Sequence, residues 1–390
     1  MQAVHLNPVL IEEELVAFCP SIEALERFRK ESSYHLIKLR KLPEPVVALL
    51  EKDAPVYSLI FLRSQKERKG CSLTDAIVWG NTNSLYDFCF SLEQKEGEPA
   101  LAGKTIRRVM ESFHKKKPGE LVLGKTILPL GRKTLIMGIL NVTPDSFSDG
   151  GRFDRLESAL AQAYRMAEEG ADIIDIGGES TRPGHNQISA EEELKRVMPV
   201  ITALKKDHNF KVPLSIDTYK ATVAETALEA GVEMLNDVWG LRADKALGPV
   251  ATRFKVPVCL MHNRLSNLYE DLIPDIIAEI NESIDLALQA GIGDRQIIVD
   301  PGIGFGKDVQ QNLDVMRHLR DFCSLGYPLL LGTSRKSMIG KILDLPVEER
   351  LEGTAATVAY GISAGADLIR VHDIIEMKRV ASMTDAMVRR

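Results

Sequence analysis

From Thr134 onward the chain repeats one rhythm eight times: a short apolar run, a polar tip, then a helix-length amphipathic segment. The apolar runs read TLIMGILN, ADIIDIGGES, PLSIDT, EMLNDVW, PVCLMH, QIIVDPG, PLLLGTSRK and LIRVHD. Runs this apolar leave no face for water, so they predict parallel strands covered by helices on both sides. Regular β-α alternation over about 250 residues is the size of a (β/α)8 barrel. A doubly wound open sheet shares that alternation, and the polar positions separate the two. Asn141, Glu179, Asp217, Asn236, His262, Asp300, Lys336 and His372 fall at or near the C-terminal ends of their strands, one from each. In a barrel those ends converge on one mouth, where such folds carry their chemistry. The predicted fold class is α/β, a (β/α)8 TIM barrel over residues 121–390.

Residues 1–120 predict a small α/β or α+β domain in front of the barrel. Ile22 to Lys30 and Glu44 to Lys52 have helical spacing, and Val56 to Leu62 has the residue types of a strand. Leu101 to Lys117 reads as an amphipathic helix ending in three lysines, cations that suit a helix C-terminus, and Pro118-Gly119 then marks the domain boundary. Val122 to Leu135 predicts two short strands joined through Pro129, Leu130 and Gly131, a hairpin placed to plug the bottom of the barrel.

Composition narrows the function without naming it. Apolar residues make up 45% and charged residues 27% of the 390, a globular profile with enough chain for one large and one small domain. A formal charge of -6 argues against nucleic acid as the main partner. The five cysteines are irregularly spaced, which fits free thiols in a reducing compartment and no zinc motif. MQAVHLNPVLIEEELVAF has no basic leader region, and no run reaches the roughly 18 apolar residues of a membrane span. The expectation is a cytoplasmic protein acting on small molecules, with no membrane or nucleic-acid partner.

Several tips carry groups suited to anions and polar rings. Asn141 offers an amide oxygen to a hard cation or an amide N–H to a phosphate. GGESTRPG supplies glycines for close approach, the Thr181 hydroxyl and the Arg182 guanidinium, whose planar donors suit carboxylate or phosphate. Asp300 opens DPGIGFGK, a tight glycine turn that lacks the Lys-Ser/Thr of a nucleotide loop. TSRKS sets two cations at a helix start, where the helix dipole disfavours them unless they face an anion or an electron-rich ring. Arg370 and His372, two apart on one strand, predict an anion clamp. Thr218 and Asp373 read as helix caps, and Arg335 as structural.

The stretch MGILNVTPDSFSDGG, Met137 to Gly151, resembles almost letter for letter the signature of the dihydropteroate synthases, folate-pathway enzymes that join p-aminobenzoate to a pterin. The resemblance runs from about Leu121 to the C-terminus and takes in seven strand-tip motifs in order. It implies that dihydropterin diphosphate and p-aminobenzoate are the substrates, that Mg2+ is the cofactor, and that the protein is a homodimer. Pterin contacts are implied for Thr181, Asp217, Asn236, Met261, Asp300 and Lys336. The p-aminobenzoate side is implied to hold Phe147, Arg182, Pro183, Phe305, Lys336 and Ser337. Diphosphate falls to Asn141, Thr181, Arg182, Arg370 and His372, and the metal to Asn141; catalytic roles are implied for Asn141, Lys336, Arg370 and His372. The segments 143–152 and 180–189 are expected to close over bound diphosphate. One departure is MHNRLSN after the fifth strand, where the family usually has a glycine soon after Met-His. A pterin-barrel methyltransferase and a non-catalytic binding protein are the alternatives; the first does not account for SRKS together with RVHD, and the second would bind ligands and make no dihydropteroate.

Overall fold

The computed structural model describes residues 33–64, 73–115, 117–143, 152–179 and 187–389. The chain forms two units, Met1–Lys115 and Lys116–Arg390.

In the first unit, strand β1 (Tyr34–Pro43) is followed by the helix Glu44–Asp53, a 3-10 turn at Ala54–Tyr57, β2 (Ile60–Arg63) and β3 (Leu73–Asn81). The helices Thr82–Glu93 and Glu98–His114 complete it. The sheet is antiparallel in the order β1-β3-β2, and Val47, Leu50, Val78, Phe88 and Ile106 lie in its core. The strand expected from Val56 begins only at Ile60. Pro55 lies in the first turn of the 3-10 segment and Ser58, left-handed at φ 58°, ends it, so the chain cannot extend earlier. Pro99 likewise lets the last helix start at Glu98, ahead of the expected Leu101. Ile22 to Lys30 lies outside the described residues.

The second unit opens with the hairpin β4 (Glu120–Leu123) and β5 (Thr126–Pro129). Its turn falls at Gly124-Lys125, earlier than the predicted Pro129 to Gly131, because Gly124 takes the left-handed conformation that a tight turn requires. Eight parallel strands follow: β6 (Leu135–Asn141), β7 (Ile173–Gly177), β8 (Leu214–Asp217), β9 (Met234–Asp237), β10 (Val258–Met261), β11 (Ile297–Asp300), β12 (Leu330–Leu331) and β13 (Leu368–Val371). Their order is β11-β10-β9-β8-β7-β6-β13-β12, and a parallel bridge from Val299 to Leu329 joins the two ends into a barrel. Helices such as Ala190–Lys206 and Leu272–Gln289 wrap the outside.

The hairpin does plug the barrel. Leu121, Leu123, Leu128 and Leu130 share one buried cluster with Leu135, Met137, Ile173, Met234, Cys259, Ile298, Leu330 and Leu368 of the strands. At the other end, Asn141, Gly177, Asp217 and Asn236 are register neighbours across four adjacent strands. The mouth is therefore built in one row. Among the described residues no helix is long and apolar enough to cross a membrane.

Candidate active site

The floor of the mouth is organised by a half-buried arginine. Arg370 donates from Nε to Asp175 Oδ2 at 2.6 Å and from Nη2 to Asp217 Oδ2 at 2.7 Å. Asn236 Nδ2 donates to the same Asp175 oxygen at 2.9 Å. Burial opposes the charge on Arg370, yet Asp175 and Asp217 outweigh it and hold the guanidinium protonated. Asp175 Oδ1 and Asp217 Oδ1 are buried with no hydrogen-bond partner among the described residues. Each unmatched acceptor in so dry a place costs about 1 to 3 kcal/mol, so this floor is built to receive N–H donors. Burial also pushes the Asp217 carboxyl up, with Asp175 adding to the effect and Arg370 opposing it.

Asp300 stands beside them on β11, accepting from the Gly302 N–H at 2.7 Å. Burial pushes its carboxyl up to about 6, against the pull of that N–H, Lys336 and Lys307. Met261 is buried as its register neighbour on β10. Asn141 and Asp217 face each other across Gly177: a Cβ there would lie 3.5 Å from Asn141 Oδ1 and 3.7 Å from Asp217 Oδ2. The missing side chain leaves room beside the Asn141 oxygen.

The rim is aromatic and cationic. Lys336 Nζ lies 4.2 Å from the centre of the Phe305 ring, a cation–π distance. Lys336 precedes the helix Ser337–Leu343, whose first backbone N–H groups have no partner within the helix. His372 Nδ1 lies 2.9 Å from Ser334 Oγ, which also accepts the His372 backbone N–H at 3.2 Å.

Arg370, expected as an anion clamp beside His372, gives its Nε and Nη2 to the buried carboxylates of Asp175 and Asp217. One expectation is corrected: two of the eight tip residues do not join this floor. Glu179 accepts from Tyr219 Oη at 2.9 Å and pairs with Lys220, which reaches Glu193 of the outer helix at 2.5 Å. His262 lies between Lys307 and Glu279, 3.0 and 3.4 Å away.

Arg335 is structural, as expected: it pairs with Asp373, which for that reason caps no helix with its side chain. Thr218 Oγ1 accepts from the Lys220 N–H at 3.2 Å, one residue ahead of the helix Ala221–Glu229. Phe147, Thr181, Arg182 and Pro183 lie outside the described residues, as do most of 143–152 and 180–189. Sequence reasoning missed Asp175, although an aspartate inside the apolar run ADIIDIGG was a visible signal. Among the described residues no group of three or more His, Cys, Asp or Glu side chains forms a metal cage.

Comparison with known proteins decides the family. The model of the pterin binding enzymes matches residues 137–372. Dihydropteroate synthase of Clostridium beijerinckii is 55% identical over 269 residues, 69% of this chain and 99% of the relative. The chain belongs to the dihydropteroate synthase family. The enzyme of Bacillus subtilis is 54% identical over 256 residues, 66% of this chain and 89% of that one. A dihydropteroate synthase structure from Clostridium difficile, determined with pteroic acid, covers 67% of this chain and 100% of its own at 52% identity, with a TM-score of 0.66. A Xanthomonas albilineans dihydropteroate synthase with 4-aminobenzoic acid covers 69% and 98% at 42% identity, with a TM-score of 0.66. The family match begins within β6, so the first unit precedes the dihydropteroate synthase region.

Proposed function

We propose that this chain condenses 6-hydroxymethyl-7,8-dihydropterin diphosphate with p-aminobenzoate, giving 7,8-dihydropteroate and diphosphate. The observation that carries the residue assignment is the floor: two buried carboxylate oxygens without partners, with Asp300 and Asn236 beside them, match the N–H-rich edge of a pterin. Asp217 and Asp300 accept from the pterin, Asn236 supplies its amide, and Met261 lies beneath. Arg370 balances these carboxylates and, with His372, is assigned to the diphosphate end.

In the reaction, the aromatic amine forms a C–N bond to the pterin methylene as the C–O bond to diphosphate breaks. The electron pair leaves with diphosphate, and the amine then loses a proton. An aromatic amine is neutral at pH 7, so its nitrogen needs no strong base. Electron release from the pterin ring supports positive charge at the methylene, and the remaining demand is charge on the leaving group. Asn141 and His372 face that demand, with Thr181 and Arg182 assigned to the same end. Phe305, Lys336 and the helix starting at Ser337 form the p-aminobenzoate end, joined by Phe147, Arg182 and Pro183.

Magnesium binds through substrate phosphates and waters with few protein ligands, so the single amide oxygen of Asn141, with room beside Gly177, fits it. Bound there, it supplies positive charge to the departing diphosphate. We also propose a cytoplasmic homodimer. Exposed Met383 and Met387, one turn apart on the last helix, and exposed Tyr360 on the preceding helix support a protein interface.

The test is turnover. Full-length protein with both substrates and Mg2+ should yield stoichiometric dihydropteroate and diphosphate. Binding of the pterin without product would leave a binding protein, and methyl transfer from a folate would make it a methyltransferase.

A further inference from the structure

The turn Asp300 to Asp308 is held by a half-buried lysine, Lys307, that no substrate role requires. Lys307 Nζ donates to the carbonyls of Gly302 at 2.9 Å and Phe305 at 3.0 Å, and to His262 Nδ1 at 3.0 Å. Burial pushes Lys307 down to about 7, with Asp300 and Glu279 opposing the shift; in its charged form the amine has three donors, and all three are used. The two carbonyls, thirty-odd residues of chain before Lys336, are thereby drawn to one point, and the Phe305 ring faces the Lys336 ammonium.

The anchor itself is fixed from outside the turn. His262 is buried, and burial pushes its imidazole down to about 4, so the neutral ring accepts at Nδ1, while Nε2 lies 3.4 Å from Glu279 without a hydrogen-bond partner among the described residues. Glu279 accepts from Arg242 at 2.7 Å and from Arg264 at 2.6 Å. Tyr269, at the end of the unusual loop that begins MHNRLSN, donates to the Gly306 carbonyl at 2.8 Å. The two loops approach so closely that a Cβ on Gly306 would lie 2.6 Å from the Arg264 carbonyl oxygen. On the inner side, Asn312 Oδ1 accepts from the Gly304 N–H at 2.7 Å. The turn is thus gripped at Gly302, Gly304, Phe305 and Gly306, so the backbone that carries its one aromatic side chain is held.

We propose that Lys307 is a positioning residue for the p-aminobenzoate end of the site, tying the turn beneath Phe305 so that this ring is set against Lys336. The proposal rests on the dihydropteroate synthase reading above. It assigns a function to the departure in MHNRLSN as well: that loop supplies the outer support which fixes His262, and through it the ammonium. Asp300, Glu279, Lys336 and Arg264 are the charged groups that act on Lys307.

The experiment uses full-length enzyme and steady-state kinetics with each substrate varied. Lys307→Met should raise KM for p-aminobenzoate about tenfold, since two buried carbonyls lose their donor, while KM for the pterin diphosphate moves by less than about twofold. Phe305→Leu should show the same selective rise. The double variant should be no worse than the poorer single one, because one residue acts through the other. An unchanged p-aminobenzoate KM in folded Lys307→Met, equal rises in both KM values, or full additivity would each overturn the proposal. Should Lys307→Met not fold, His262→Leu removes one of the three acceptors, and a selective rise of about threefold is expected; no rise overturns the proposal. Wild-type protein that makes no dihydropteroate defeats the functional reading along with it, whereas active wild type with unmoved variants defeats the positioning role alone.

Discussion

Arg370 on β13 and Asp175 on β7 meet at 2.6 Å although 195 positions separate them in the chain. The same Asp175 oxygen accepts from Asn236 on β9, so one carboxylate pins three strands of the barrel at the depth of its pocket. Asp217 shares the arginine but has no such second duty within the barrel.

That asymmetry separates two substitutions. Asp175→Ala leaves the guanidinium with one carboxylate and should cost about 3 to 5 kcal/mol of stability. Asp217→Asn keeps an oxygen toward Arg370, and should lower thermal stability far less while weakening pterin affinity at least about tenfold. Thermal denaturation and isothermal titration on both variants check this. Equal stability losses would show that the two carboxylates are interchangeable struts.

Titration of the floor gives a second expectation. Asp300 is raised to about 6 in the folded protein, above the ordinary carboxylate range. Its contribution to stability is therefore greatest when it is protonated, at low pH, and declines as pH rises through about 6. Pterin N–H groups favour the ionised carboxylate. Affinity should accordingly rise from pH 5 to pH 7, with proton release near pH 6 visible as buffer-dependent enthalpy, and Asp217, shifted in the same direction, adds to the slope. A flat pH dependence would remove Asp300 from the pterin contacts; Asp300→Asn should flatten it.

Magnesium removal tests the assignment of Asn141. Chelation should weaken binding of the pterin diphosphate while leaving the pterin without diphosphate unaffected, because the metal is assigned to Asn141 and the phosphate oxygens and not to the pterin ring. Asn141→Ala should reproduce the selective loss and reduce the response to added Mg2+. Loss of affinity for the bare pterin in either experiment would place the metal elsewhere.

The rim pair offers a fourth. Lys336→Met removes the ammonium facing Phe305 and should lower kcat/KM for p-aminobenzoate by about tenfold or more, on the scale of a desolvated cation–π contact plus a lost ligand donor. The measurement is steady-state kinetics with p-aminobenzoate varied at saturating pterin diphosphate. An unchanged value would show that the lysine serves the turn and not the ligand.

The barrel was legible because a strand buried on both faces has no polar positions to spare, so those that exist stand out at its end. Asn141, Asp217, Asn236 and Asp300 were all found in this way. Asp175 was not, because it sits within the apolar run, and its partner is a long side chain that reaches across strands; periodicity carries no information about which carboxylate an arginine will choose. Glu179 and His262 met the same rule and failed it, since a tip residue turns outward when Lys220 or Glu279 waits in the helix layer. In the first unit, β1 and β3 went unread because, among the described residues, one face of their sheet is exposed, with Tyr34 and Leu36 set among charged neighbours. The hairpin turn was displaced by a glycine whose conformation outweighed the nearby proline.

The hairpin beneath the barrel also governs traffic. With Leu121, Leu123, Leu128 and Leu130 sealing the lower end, the floor of Asp175, Asp217 and Asp300 is a dead end on the side of the hairpin. Under the proposed function both substrates enter and the product leaves by the mouth, and binding of the pterin before p-aminobenzoate is the expected order.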